Sequence, residues 1–148
     1  MRTTPDRIRH AVSFEILGLL IVTPLGAWAF DMAPLAIGVV AVVGATIATL
    51  WNYLYNVLFD RAMLRLAGHV HKTVALRVLH ALLFEAGLLV VLMLFIAWHL
   101  DVSLMTALVM DLGFAGFYLV YAFAFNWAYD VIFPIPGAGR RQARASTD

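Results

Sequence analysis

Four long apolar stretches constrain this chain more than any other feature. They cover about residues 8–30, 34–59, 75–98 and 104–133. A helix needs roughly 20 predominantly apolar residues to cross a bilayer, and these stretches lack the strict alternation of barrel strands. With 64% apolar and 13% charged residues, a water-soluble fold of 148 residues could not hide so much apolar surface. The sequence therefore predicts an all-α integral membrane protein with four transmembrane helices.

The positions of the basic residues predict the orientation of these helices. The connectors between spans one and two and between spans three and four carry Asp31 and Asp101 and no basic residue. By the positive-inside rule, both termini and the linker 63–74 are expected in the cytoplasm, with 134–148 as a flexible tail. The ten basic residues behind this prediction are Arg2, Arg7, Arg9, Arg61, Arg65, Lys72, Arg77, Arg140, Arg141 and Arg144.

A duplication with an offset of 70 residues divides the chain into two similar halves. It predicts two helical hairpins, 1–62 and 75–133, arranged as parallel repeats about an axis along the membrane normal. Because the first span has a counterpart in mid-chain, we expect it to be retained rather than cleaved as a signal peptide. The matched residues are Arg7, His10, Phe14, Glu15, Trp28, Asp31, Asn56 and Asp60 with Arg77, His80, Phe84, Glu85, Trp98, Asp101, Asn126 and Asp130.

The repeated residues follow helical spacing, so each span carries a polar and aromatic stripe on one face. Such stripes are costly against lipid and are expected to face each other or a shared cavity. Antiparallel pairing about the turn at Asp31 and its counterpart gives a register for each hairpin. The expected neighbours are Arg7 with Asp60, His10 with Asn56, Glu15 with Asn52, Arg77 with Asp130 and His80 with Asn126.

Three acidic residues lie within the spans and are candidates for proton coupling or cation binding. Glu15 lies about 10 Å inside its helix, too deep to reach water easily. Glu85 is its repeat equivalent, and no lysine or arginine lies at the depth of either. Asp111 has no equivalent, because Ala41 stands at the matching position. For Asp111, an acid at a helix end facing a vestibule is the alternative interpretation.

The other residues of the stripes have a structural and a functional interpretation. Arg7 with Asp60 and Arg77 with Asp130 are expected to form ion pairs that fix each hairpin. His10 and His80 could relay protons or simply form hydrogen bonds between helices. Aromatic residues could pack against each other or line a cavity for a cation, because ring faces attract cations. The cavity-lining set is Asn52, Trp51, Tyr55, Phe14, Phe84, Tyr121 and Phe125, and Asn52 is matched only by Ala122.

Several functions are excluded or disfavoured by what the chain lacks. A net charge of +1 does not suggest a nucleic-acid partner, and the chain has no cysteine. It contains no glycine-rich nucleotide loop and no nucleophile–base motif, so we expect no enzyme and no cofactor. His69 and His71 are too few to predict a metal site. A transporter remains, with a membrane scaffold or accessory subunit as the alternative.

The motifs resemble those of a known family. R-x-x-H-A-x-x-F-E from Arg7, its copy from Arg77, W-N-x-x-Y-N-x-x-F-D from Trp51 and Y-x-x-x-F-N-W-x-Y-D from Tyr121 resemble the four signatures of the proteobacterial antimicrobial compound efflux family. That family is built from two bacterial transmembrane pair domains. The resemblance covers about residues 5–133, with Ala122 standing where a polar residue is often found.

The resemblance implies an inner-membrane transporter that exports cationic biocides such as chlorhexidine, acriflavine and quaternary ammonium compounds. It also implies proton coupling, with the key acid at Glu15, and export of short diamines by some members. Besides these cations, protons and lipid, we expect a second copy of the chain as a partner, because four helices make a thin wall around a cavity.

The topology can be tested with single cysteines, since the chain has none of its own. In intact cells, a cysteine at Ala33 should react with an impermeant thiol reagent, whereas one at Arg65 should be protected until the membrane is opened. Labelling of both positions in intact cells would contradict the four-span topology.

Overall fold

A computed structural model describes residues 3–67 and 73–133 and contains only helices within those ranges. Each helix is long and apolar enough to cross a membrane, which confirms the predicted fold class. Helix α2 continues beyond the predicted end of its span at residue 59 into the predicted linker. Residues 68–72 of that linker and the predicted tail 134–148 lie outside the described residues. The helices are α1 (Thr4–Phe30), α2 (Pro34–Ala67), α3 (Val74–Leu100) and α4 (Leu104–Ile132).

The turns after α1 and α3 have the same backbone conformation. Asp31 and Asp101 both have φ of 51°, in the left-handed region. Aspartate tolerates this region better than most residues because its side chain is short and polar. In each turn the following amide donates to a carbonyl five residues back, so that the helix end is closed. These bonds run from Met32 to Ala27 (3.0 Å) and from Val102 to Ala97 (3.2 Å).

Each following helix begins with a residue suited to a helix start. Pro34 is the first residue of α2, where its missing N–H costs nothing and its fixed φ is already helical. Ser103 caps α4, because its Oγ accepts a hydrogen bond of 3.1 Å from the amide of Thr106. The apolar spans are therefore separated by very short connectors with satisfied helix ends.

The chain divides into two compact units, each described by itself. One unit combines the first part of α1, through Val22, with the last part of α4, from Phe114. The other unit is Thr23–Gly113, in which α2 packs against α3.

Large apolar side chains lie on the outside of this protein. Trp28 is 81% exposed, Trp98 is 79% exposed and Leu35 is 80% exposed. In water this surface would drive aggregation, but in a bilayer it faces lipid of matching polarity. Few apolar side chains are fully enclosed, as expected of thin-walled helical membrane proteins. The buried apolar residues are Val22, Ile37, Val40, Ala41, Met63, Ile96, Ala107, Met110 and Tyr129.

The left-handed turn at Asp101 should limit which residues can stand there. Replacing Asp101 with valine should lower the free energy of unfolding in mixed micelles by about 1–2 kcal/mol, because a β-branched residue is strained at positive φ. Asp101→Asn is the matched control and should unfold like the wild type. Equal stability of the valine and asparagine variants would contradict the observed turn.

Candidate functional site

His10 stands at the centre of an aromatic cluster between α1 and α4. Its Nε2 lies 2.9 Å from Oδ1 of Asn126, within hydrogen-bonding distance. Its ring meets Phe125 and Tyr129 edge to face, with centroids 5.2 Å and 4.5 Å away. The histidine is thus held by one polar contact and two ring contacts from α4, all within the first unit.

One turn along α1, a hydrogen bond joins the two helices directly. The hydroxyl of Tyr121 donates to the backbone carbonyl of Phe14 at 2.7 Å. The Phe14 ring packs against Tyr121 and Phe125, with centroids 4.8 Å and 5.2 Å away. The neighbouring Glu15 is exposed on the protein surface and interacts electrostatically with Tyr118 and Tyr121. This places a carboxylate beside phenol rings within a membrane-spanning segment.

The same pair of helices is tied together at the basic end of α1. Arg9 forms an ion pair of 2.6 Å with Asp6, and its Nε donates to the hydroxyl of Tyr129 at 2.9 Å. That hydroxyl in turn donates to Oδ1 of Asp6 at 3.1 Å. The guanidinium of Arg9 also covers the ring of Phe133, 3.9 Å from its centroid. Arg9 therefore stabilises the start of the cluster through charge, hydrogen bonding and cation–π contact.

A second cluster joins α2 and α3 within the other unit. Nε1 of Trp51 donates to the carbonyl of Phe84 at 3.1 Å, and the hydroxyl of Tyr55 donates to the carbonyl of His80 at 3.0 Å. The His80 ring meets Phe59 edge to face at a centroid distance of 4.4 Å. Here too an aromatic donor reaches a helix carbonyl in the neighbouring helix.

The two clusters contain the same contacts, shifted by 70 residues. Trp51 on Phe84 is equivalent to Tyr121 on Phe14, so an indole in one copy takes the place of a phenol in the other. The ring contacts also agree closely in distance. They are His10–Phe125 and His80–Tyr55 (5.2 and 5.0 Å), His10–Tyr129 and His80–Phe59 (4.5 and 4.4 Å), and Phe14–Phe125 and Phe84–Tyr55 (5.2 and 5.4 Å).

One polar residue makes the two clusters differ. Asn56, the equivalent of Asn126, donates through Nδ2 to the carbonyl and to Oδ1 of Asn52, at 2.7 Å and 3.1 Å. Nε2 of His80 is buried and has no hydrogen-bond partner among residues 3–67 and 73–133. Ala122 stands where the second half would need an asparagine to capture Asn126. Asn52 therefore holds the amide that, in the first cluster, reaches the histidine.

The expected pairing of the polar stripes within each hairpin is wrong. His10 bonds Asn126 rather than Asn56, and His80 packs against α2 rather than Asn126. Glu15 interacts with tyrosines of α4, while Asn52 bonds Asn56. Each helix of a four-helix protein can have two neighbours, and the duplicated motifs offer an equally good partner on either. The register along the helix was correct, but the neighbour was not.

The remaining predicted residues lie as follows. Glu85 is exposed beside Phe84, like its equivalent Glu15, whereas Asp111 is buried with 6% of its surface exposed. The ion pairs expected for Arg7, Asp60, Arg77 and Asp130 stay predictions. Residues 3–67 and 73–133 contain no group of three side chains suited to holding a metal ion.

Two glycines that the sequence did not single out make room for the aromatic donors. A methyl group added to Gly87 would overlap the indole of Trp51, with Cη2 only 2.8 Å away. A methyl group on Gly18 would lie 3.1 Å from Cε1 of Tyr121. The repeat comparison hides this role, because the two glycines are offset by 69 residues instead of 70. A glycine facing an aromatic stripe was the available signal.

The arrangement around Glu15 suits an organic cation. A carboxylate attracts positive charge, and aromatic faces attract cations while also accepting apolar groups. The same elements, an exposed glutamate next to an aromatic cluster, recur at Glu85.

Comparison with known proteins identifies what the chain is similar to. The profile of the family described as "BTP: Chlorhexidine efflux transporter" matches twice, at residues 2–65 and 72–135. A short-chain diamines transporter of Vibrio parahaemolyticus is 34% identical over 89% of this chain and 93% of the relative. Proteins of the same description from Acinetobacter baylyi and Acinetobacter baumannii are 34% and 32% identical, covering 92% and 90% of those relatives. No solved structure matches the chain.

The glycine beside Trp51 provides a test of the α2–α3 contact. Gly87→Ala should lower the free energy of unfolding by about 1–3 kcal/mol, because the indole must leave its place or the helices must separate. Gly116→Ala is the matched control, since a methyl group there meets nothing within 4 Å. Unfolding in mixed micelles measures both, and equal stability of the two variants would contradict the packing of Trp51 on α3.

Proposed function

Because this chain belongs to the chlorhexidine efflux transporter family and is a multi-pass transporter of the bacterial inner membrane, we propose that it exports lipophilic organic cations and short diamines in exchange for protons. The family match favours transport over the scaffold alternative. We further propose that both termini face the cytoplasm, as the distribution of basic residues predicts.

The position of Glu15 carries this proposal. Its carboxylate is exposed within a membrane-spanning helix and is flanked by Tyr118 and Tyr121. An acid in this setting is expensive unless it is protonated or bound to a positive group. A cationic amphipath can supply the charge while its apolar part covers the rings, and a diamine can supply the charge alone.

Exchange follows when the proton and the cation compete for Glu15. A bound cation stabilises the carboxylate and expels the proton, whereas a proton removes the charge that holds the cation. Each ligand therefore binds one charge state of the site and disfavours the other, which is the differential affinity that coupling requires. Alternate exposure of this acid to the two sides of the membrane would complete the exchange.

The second cluster gives the protein an equivalent acid at Glu85, with Trp51, Tyr55 and Phe84 beside it on α2 and α3. We propose that it handles the same class of cation, with Asn52 adding a polar contact that the first cluster lacks. Both glutamates are exposed on the surface of one chain. A homodimer would cover such acids in the membrane, which supports a second copy as the partner.

Cation binding at different pH values tests the role of Glu15. Wild-type protein in micelles should lose affinity for a fluorescent cationic dye as the pH falls, because protons compete for the acid. Glu15→Gln should fold, bind weakly and show no such pH dependence over the same range. Asp101→Asn, which neutralises an exposed acid in the turn after α3, is the control and should keep the wild-type profile.

Two outcomes would overturn the assignment. Wild-type affinity that does not fall on acidification would remove the competition, and a Glu15→Gln variant with the wild-type pH profile would move it to another residue. Dye-driven proton release from proteoliposomes, present in the wild type and absent in Glu15→Gln, tests the coupled step itself.

A further inference from the structure

Asp111 is the most enclosed acidic side chain in residues 3–67 and 73–133. Only 6% of its surface is exposed, and its Oδ2 has no hydrogen-bond partner among those residues. It follows the first residue of α4, Leu104, by about two helical turns, which is roughly 10 Å along the helix. Glu15 is exposed by contrast, so the two acids have different surroundings.

Asp111 belongs to a set of buried positions that the duplication repeats. Three positions of α2 and three of α4, related by the offset of 70, are all buried. Five of the six hold apolar side chains, and in the first copy the position of Asp111 holds Ala41. A carboxyl group thus occupies a place that the repeat fills with a methyl group. The pairs are Ile37 with Ala107, Val40 with Met110, and Ala41 with Asp111.

The helices of the same unit bring little charge toward Asp111. Residues 23–30 of α1 and 34–50 of α2 contain no titratable side chain, and neither do residues 104–110 and 112–113 of α4. Residues 86–100 of α3 contain only His99, whose ring stacks on Phe95 at a centroid distance of 5.6 Å. The turns add Asp31 and Asp101, which are acids and would oppose a negative charge at Asp111.

An ionised carboxylate without a partner is very costly in apolar surroundings, whereas a neutral carboxylic acid costs only its unmade hydrogen bonds. We propose that Asp111 carries a proton in the substrate-free protein and is a second proton-binding site, loaded from the side of the membrane where the α3–α4 turn lies. The proton adds to one carboxylate oxygen and leaves from the same oxygen when the site opens to water. Only its use in transport rests on the exchange proposed above.

Infrared spectroscopy tests the protonation without any substrate. Purified protein at neutral pH, with ¹³C in the side-chain carboxyl of aspartate, should show the isotope-shifted C=O stretch of a carboxylic acid. Asp111→Asn should lose that band, while Asp101→Asn and Glu15→Gln should retain it. If Asp111→Asn does not fold, Asp111→Ala serves instead, since alanine stands at the equivalent position 41. Absence of the band from labelled wild type, or its persistence in the variant, would overturn the proposal.

Transport then separates this site from Glu15. In proteoliposomes, Asp111→Asn should still bind a cationic dye with the wild-type pH profile, but dye-driven proton movement should be lost. Unchanged proton movement in Asp111→Asn would overturn the role in exchange. If Glu15→Gln binds the dye with the wild-type pH profile while the Asp111 band is present, the Glu15 assignment fails and the Asp111 site stands.

Discussion

Aromatic donors that bond to helix carbonyls on a neighbouring helix connect the described parts of this protein. Within a bilayer, apolar surface does not drive helices together, so close packing and hydrogen bonds between helices must do so. Tyr121 and Trp51 each bond a carbonyl that lies within a helix, and each ring needs a facing turn without a side chain. Gly18 and Gly87 supply these gaps. The positions of the two histidines follow from the same contacts, since each lies one turn from a bonded carbonyl.

The duplicated halves share this framework and differ in a few polar residues. Asn52 and Asp111 each stand where the other half has alanine. Asn52 draws Asn56 away from His80, and Asp111 places an acid among apolar side chains. The matched residues therefore build two similar clusters, whereas the unmatched residues give each copy its own chemistry.

Most of the fold was predictable, because span length, composition and short connectors are local properties of the sequence. The aromatic and polar members of both clusters were predictable from helical spacing and from the repeat. The choice of neighbour was not, because identical motifs on two helices make His10 an equally good partner for Asn56 and for Asn126. The exposure of Glu15 and the burial of Asp111 were also beyond the sequence, since they depend on which face of each helix the neighbour covers. The gaps at Gly18 and Gly87 differ in register by one residue, so comparison of the repeats passed over them.

The pairing of α1 with α4 and of α2 with α3 has a consequence for how such a chain could arise. A single hairpin contains α1 and α2, or α3 and α4, and so holds only half of each cluster. Before duplication, an ancestral hairpin could complete its hydrogen bonds only against another hairpin. Fusion of two copies would then have preserved an interface that already existed between separate molecules. Changes such as Asn52 and Asp111, which two identical subunits must share, could from that point be confined to one half.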